Sequence, residues 1–191
     1  MKNLLWRHGR SQDTQSRKQE RLAEQSYSGR ECNALNSVTN RKYFKRMVDR
    51  ALQEEGAQGC LLVLDIDWMQ EINEQFGLAM GDRVLERVAN MLRRNFRSCD
   101  RIGRLDEDEF ALWIAGLSAQ NVDGIRRRIA QLNDRLMHME EDMPAVTLSA
   151  GAAIGEAGED FDCLYRRAGE VLNRVKERGR CGCEIYEKRR L

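Results

Sequence analysis

The stretch RSCDRIGRLDEDEFALWI, residues 97–114, decides how this chain is read. Asp106, Glu107, Asp108 and Glu109 follow one another, and Phe110 then opens an apolar run. The segments DRIGRL and DEFALWIAG on either side read as two strands, so the pattern predicts a hairpin with a tight turn at Asp106-Glu107. Like charges this close repel each other, and they stand where the chain enters its core.

Outward from the hairpin, CLLVLDID at residues 60–67 is a short apolar run that reads as a buried strand. It ends on Asp65 and Asp67. Carboxylates at the mouth of a strand suit a hard cation such as magnesium, which takes oxygen ligands alongside phosphate. The plainer alternative is a strand end that reaches water. The hairpin acids Asp108 and Glu109 offer a second carboxylate source beside the first. Helical periodicity is expected over Phe44, Met47, Val48, Ala51 and Leu52 after a cap at Thr39 or Asn40, in WMQEINEQFG up to Gly77, and from Asp82 to Phe96. It recurs over Val122–Leu136 and Phe161–Val175. AVTLSAGAAIG and CGCEIYE read as further strands. Strands alternating with helices imply an α/β sheet with helices packed on it.

The chain has 191 residues, 41% hydrophobic and 33% charged, with a formal net charge of +1. That balance gives no reason to expect DNA or an acidic membrane surface as a partner. No apolar run approaches the roughly 18 residues of a membrane helix, and the start is not a secretory signal. The six cysteines are scattered apart from Cys181 and Cys183, which would face one side of a strand without needing to do chemistry. A reduced, cytoplasmic protein is expected. Residues 1–31 carry seven Lys or Arg and four Asp or Glu with few apolar residues. They read as a polar extension, either a tail or a helix that needs a partner, ahead of one domain at 32–191.

LLVLDIDWMQEINEQFGLAMGDRVLERVANML, RSCDRIGRLDEDEF, VTLSAGAAI and VLNRVKERGR, in that order, resemble the GGDEF domains of diguanylate cyclases from about Asn33 to Tyr186. The resemblance implies a palm-like fold similar to polymerases and nucleotidyl cyclases, a central mixed β-sheet surrounded by helices. It implies condensation of two GTP molecules into cyclic di-GMP with two metal ions. By resemblance Asp65, Asp108 and Glu109 are the catalytic and metal positions. Asn73 and Asp82 match guanine readers, and Lys176 and Arg180 match phosphate-binding positions.

The chain departs from the family where phosphate would pass. Asp106 and Glu107 replace the two glycines of the hairpin, and Gln70 replaces a usual lysine. Non-glycine residues forced into an unusual turn cost on the order of 1–3 kcal/mol. A carboxylate about 4 Å from a phosphate charge repels it by roughly 4 kcal/mol at an effective dielectric near 20. These remnants therefore imply a catalytically inactive domain with no obligatory cofactor, and magnesium only if GTP still binds. A second motif is kept: Arg97-Ser98-Cys99-Asp100 is an RxxD sequence five residues before the hairpin pair, the spacing of the family's inhibitory site for cyclic di-GMP. Arg128 falls where the family often adds an arginine. Guanidinium forks suit phosphate and the guanine edge, and a carboxylate accepts from guanine nitrogens. Three functions stay open: a cyclic di-GMP receptor relaying to a protein partner, through residues 1–31 or homodimerisation; a weak or partner-activated cyclase; and a scaffold that needs no nucleotide.

Overall fold

The structure, a computed structural model, describes residues 38–54, 58–118, 121–138 and 143–187. The expected extension at residues 1–31 lies outside the described residues. In chain order the elements are β1 (Thr39–Asn40), α1 (Arg41–Leu52), β2 (Gln58–Ile66), α2 (Met69–Phe76), α3 (Leu78–Asn95), β3 (Arg101–Arg104), β4 (Glu109–Ala115), α4 (Asp123–Met137), β5 (Leu148–Glu156), α5 (Phe161–Glu177) and β6 (Gly182–Ile185). The six strands form one mixed sheet in the order β1-β3-β4-β2-β5-β6. This is the mixed sheet with surrounding helices that the sequence led us to expect.

β2 runs antiparallel to β4 on one side and β5 on the other. Both of its faces are covered, which is why it is a continuous apolar run without polar alternation. Cys60, Leu62, Leu64 and Ile66 join the layer built with α2, α3 and α4. Leu61 and Val63 join the layer of α1 and α5. Burying each such side chain contributes about 1.5–3 kcal/mol, so β2 is the anchor of the domain. Its carboxyl end is therefore a rigid platform for Asp65.

Local signals explain most element boundaries. The Asn40 side chain accepts a hydrogen bond from Tyr43 N at 3.0 Å and starts α1. Asn40 also pairs with β3, a two-residue strand that the sequence pattern is too short to reveal. Gly77, at φ 84, ends α2 and opens α3 directly. α3 thus starts at Leu78, four residues before the expected Asp82, because its first turn lies outside the apolar stripe.

The paired-cysteine expectation needs correction. Cys181 precedes β6 with φ 53 and is exposed, while Cys183 is half-buried inside the strand. Burial pushes the Cys183 thiol up to about 12, so it behaves as a small apolar side chain.

Candidate functional site

Asp65 on β2 and Glu109 on β4 are direct cross-strand partners at the end of the sheet. Lys176, in the last turn of α5, holds Asp65 in an ion pair at 2.7 Å. The Tyr165 hydroxyl, also on α5, donates to Glu109 Oε1 at 2.8 Å. The Arg41 guanidinium lies 4.8 Å from the Tyr165 ring centre. Burial raises the pKa of Asp65 despite Lys176, and the charges of Asp108 and Asp67 add to the rise. Burial likewise raises Glu109, opposed by the Tyr165 hydrogen bond and the Arg41 charge.

The raised Glu109 carboxyl has a consequence for stability. Its ionised form is disfavoured by folding, so the penalty is absent in strong acid. It sets in as pH rises through the unfolded value of about 4.3 and is complete above the folded one. Glu109→Gln should therefore melt at or above the parent temperature at pH 7, with the gain gone near pH 3.5. A lower melting temperature at pH 7 would show that the Tyr165 bond outweighs burial.

The hairpin turn is built differently from expectation. Leu105 N donates to Glu109 O at 2.8 Å, and Asp106 Oδ1 accepts from Glu107 N at 2.9 Å. Neither Asp106 nor Glu107 has a positive φ, since among the described non-glycine residues only Trp68, Arg180 and Cys181 do. The expected backbone strain of two non-glycines is thus absent, and the charge effect is left to stand alone. Arg104 closes the turn, donating to Asp106 O at 3.2 Å and to Glu107 O at 2.6 Å. Burial lowers its pKa, while Asp82, Asp108, Glu107 and Asp106 all act to hold its charge. Sequence reading passed over Arg104, although four consecutive acids are themselves a reason to look for a nearby cation.

Asp67 looked equivalent to Asp65 in sequence, and the structure separates them. Asp67 is 1% exposed. It accepts from Thr147 Oγ1 and Ser149 Oγ, each at 2.7 Å, and from Cys181 N at 3.1 Å, with Arg180 Nε at 3.9 Å. This carboxylate ties β2, the approach to β5 and the turn before β6 together. Both of its oxygens thus accept hydrogen bonds from within the fold, which those of Asp65 do not share.

Two of the expected nucleotide positions, Lys176 and Arg180, have partners of their own. The Arg180 guanidinium stacks 3.9 Å from the centre of the Trp68 ring. Lys176 is held by Asp65, and Gln70 donates to Glu74 within α2 at 2.8 Å. Asn73 Oδ1 is buried without a hydrogen-bond donor, packed where a Cβ on Gly81 would come within 1.9 Å. Gly81 therefore leaves room for the Asn73 amide, and the neighbouring Asp82 is exposed. No three acidic, His or Cys side chains converge to hold a metal ion among the described residues.

The RxxD segment forms a turn after α3. Asp100 Oδ2 accepts from Arg97 N at 2.8 Å, and Asp100 N donates to Arg97 O at 3.0 Å. Asp100 is 7% exposed. It shapes the turn and keeps Oδ1 for other work, while Arg97 is exposed. Arg128 on α4 lies with its guanidinium 5.0 Å from the centre of the Phe96 ring, next to Arg97 in the chain. The fold thereby brings Arg128 against the residue that precedes the RxxD segment.

The chain is also similar to known proteins. Residues 32–181 match the family model described as diguanylate cyclase, GGDEF domain. The chain is 30% identical over 158 residues to the diguanylate cyclase DgcP of Pseudomonas aeruginosa, covering 79% of this chain and 23% of DgcP. It thus spans about a quarter of that relative's length. The crystal structure of the GGDEF domain of DgcB from Caulobacter crescentus in complex with c-di-GMP superposes with a TM-score of 0.76 at 28% identity, covering 83% of this chain and 97% of that one. The diguanylate cyclase SiaD of Pseudomonas aeruginosa, in complex with its activator SiaC, shares the fold with a TM-score of 0.79 at 23% identity, over 92% of this chain and 69% of SiaD.

Proposed function

The chain belongs to the diguanylate cyclase GGDEF domain family, and from that premise we propose that it is a receptor for cyclic di-GMP that has lost cyclase output and relays the signal to a protein partner. The observation that carries this reading is the Arg97-Asp100 turn with Arg128 held against Phe96 beside it. The turn and the helix beside it carry two arginines and one carboxylate, the donor and acceptor types that phosphate and guanine need. The binding of c-di-GMP by the DgcB domain supports the ligand class. The catalytic side supports the loss of turnover: four acids crowd the hairpin, and Lys176 and Arg180 are occupied by Asp65 and Trp68. Magnesium belongs to this picture only together with bound GTP. Among the described residues no helix is long and apolar enough to cross a membrane.

The test is calorimetric titration with cyclic di-GMP. Arg97→Ala should lose a charge-assisted contact worth roughly 1.5–3 kcal/mol, a fall of about tenfold to a hundredfold in affinity. Arg97→Lys should recover little, because an ammonium lacks the fork. Asp100→Asn keeps an acceptor for Arg97 N, so it isolates the guanine contact from the fold of the turn. Unchanged affinity in both Arg97→Ala and Asp100→Asn would leave the nucleotide-independent scaffold in front.

A partner-activated cyclase is the second reading, favoured by the cross-strand placement of Asp65 and Glu109. Cyclic di-GMP made from GTP and magnesium, and abolished by Glu109→Ala, would establish it.

A further inference from the structure

The groove between α3 and α4 has a volume of ≈ 550 Å³. Four arginines line it, Arg83, Arg87 and Arg94 from α3 and Arg135 from α4, against one acid, Glu86. Two of the four are built into the fold. Arg87 donates to the carbonyls of Arg135 and His138 at 3.5 and 3.3 Å, and Arg135 donates to Asn95 Oδ1 at 3.2 Å. Arg83 and Arg94 are exposed and make no ion pair among the described residues. A chain with net charge +1 has no excess of cations to place at random, so four guanidiniums in one groove are a local concentration.

The spacing narrows the ligand. Arg83 and Arg94 are eleven residues apart on one helix, about 16 Å along its axis. An extended peptide covers that distance in about five residues. The half-buried Met91 and the buried Met143 also line the groove, adaptable apolar side chains of the kind that receive peptide side chains. Glu86 and the methionines disfavour a bare phosphate chain, which would want cations throughout. We propose that this groove docks an extended acidic peptide segment of a protein partner, with an apolar residue seated on the methionines and a carboxylate near each of Arg83 and Arg94. Arg94 stands one helical turn before Arg97, so α3 carries this surface next to the RxxD turn. The docking itself requires no nucleotide.

The experiment uses the full chain and a fluorescein-labelled peptide of sequence Glu-Glu-Leu-Glu-Glu, followed by fluorescence anisotropy without nucleotide. Saturable binding is expected, and a Lys-Lys-Leu-Lys-Lys counterpart should not bind. Arg83→Glu combined with Arg94→Glu should weaken the acidic peptide by about tenfold or more, since reversing charges turns attraction into repulsion. Both side chains are exposed, so the melting curve should stay put and serve as the folding control. No saturable binding to the parent, equal binding to the double variant, or tighter binding of a ten-nucleotide oligothymidylate than of the peptide would each overturn the proposal.

Discussion

Asp67→Ala should destabilise the folded domain by about 3–5 kcal/mol, the cost of breaking a buried, hydrogen-bonded charge network from one side. Asp67 is 1% exposed and receives two hydroxyls, a backbone N–H and an arginine. Removing its carboxylate strands Ser149 Oγ, which is fully buried, and leaves the turn at Cys181 without its acceptor. That turn has positive φ at Arg180 and Cys181, a conformation that side chains adopt only when held. Natural domains have about 5–15 kcal/mol in total, so the loss should be visible as a large fall in the urea midpoint. Asp65→Ala is the matched control. Asp65 shares the strand and the charge, but its partner Lys176 has a side chain that is 30% exposed and can turn to water. Its loss should cost about 1 kcal/mol or less. A fall for Asp67→Ala no larger than that for Asp65→Ala would mean that Asp67 is a site residue after all.

This pair marks what the sequence could and could not reveal. The apolar run from Cys60 to Ile66, the helical spacing of Val122–Leu136 and the acids before Phe110 made the sheet, its helices and the hairpin legible, because periodicity reports burial directly. The contrast between Asp65 and Asp67 was not legible. Two identical residues, two positions apart, differ only through Thr147 and Ser149, some 80 residues away in the chain. Tyr165 is visible in the apolar stripe of α5, yet its hydroxyl serves Glu109 on another element. Asp100 matched a ligand motif by spacing, and only the fold shows that it also caps its own turn. Arg128 was placed by resemblance, and Phe96 supplies the physical contact that brings it there. Local pattern thus reports which face is buried, whereas the partner of a polar group is set by tertiary contacts.

Asp106→Gly with Glu107→Gly and Gln70→Lys should raise GTP affinity by about a hundredfold, and the structure changes the reason. Backbone strain is not the obstacle, because both turn residues already adopt ordinary negative φ. What remains is charge. At about 4 Å a carboxylate repels a phosphate charge by roughly 1 kcal/mol in water and about 4 kcal/mol at an effective dielectric near 20. Asp106 and Glu107 are exposed, and Arg104 beside them offsets part of their field, which pulls the estimate toward the lower limit. Removing two such charges and adding one cation gives about 3 kcal/mol, or two powers of ten. If charge is the barrier, Asp106→Ala with Glu107→Ala should recover nearly as much as the glycine pair. If phosphate needs the space that a Cβ fills, only glycine will work. The glycines also free the turn in the unfolded chain, at roughly 0.5–1 kcal/mol each, so the melting temperature should drop slightly while affinity rises. Titration with a non-hydrolysable GTP analogue and magnesium reads all of these variants. Affinity unmoved in the triple variant would locate the obstruction elsewhere in the pocket, at Lys176 held by Asp65 or at Arg180 stacked on Trp68.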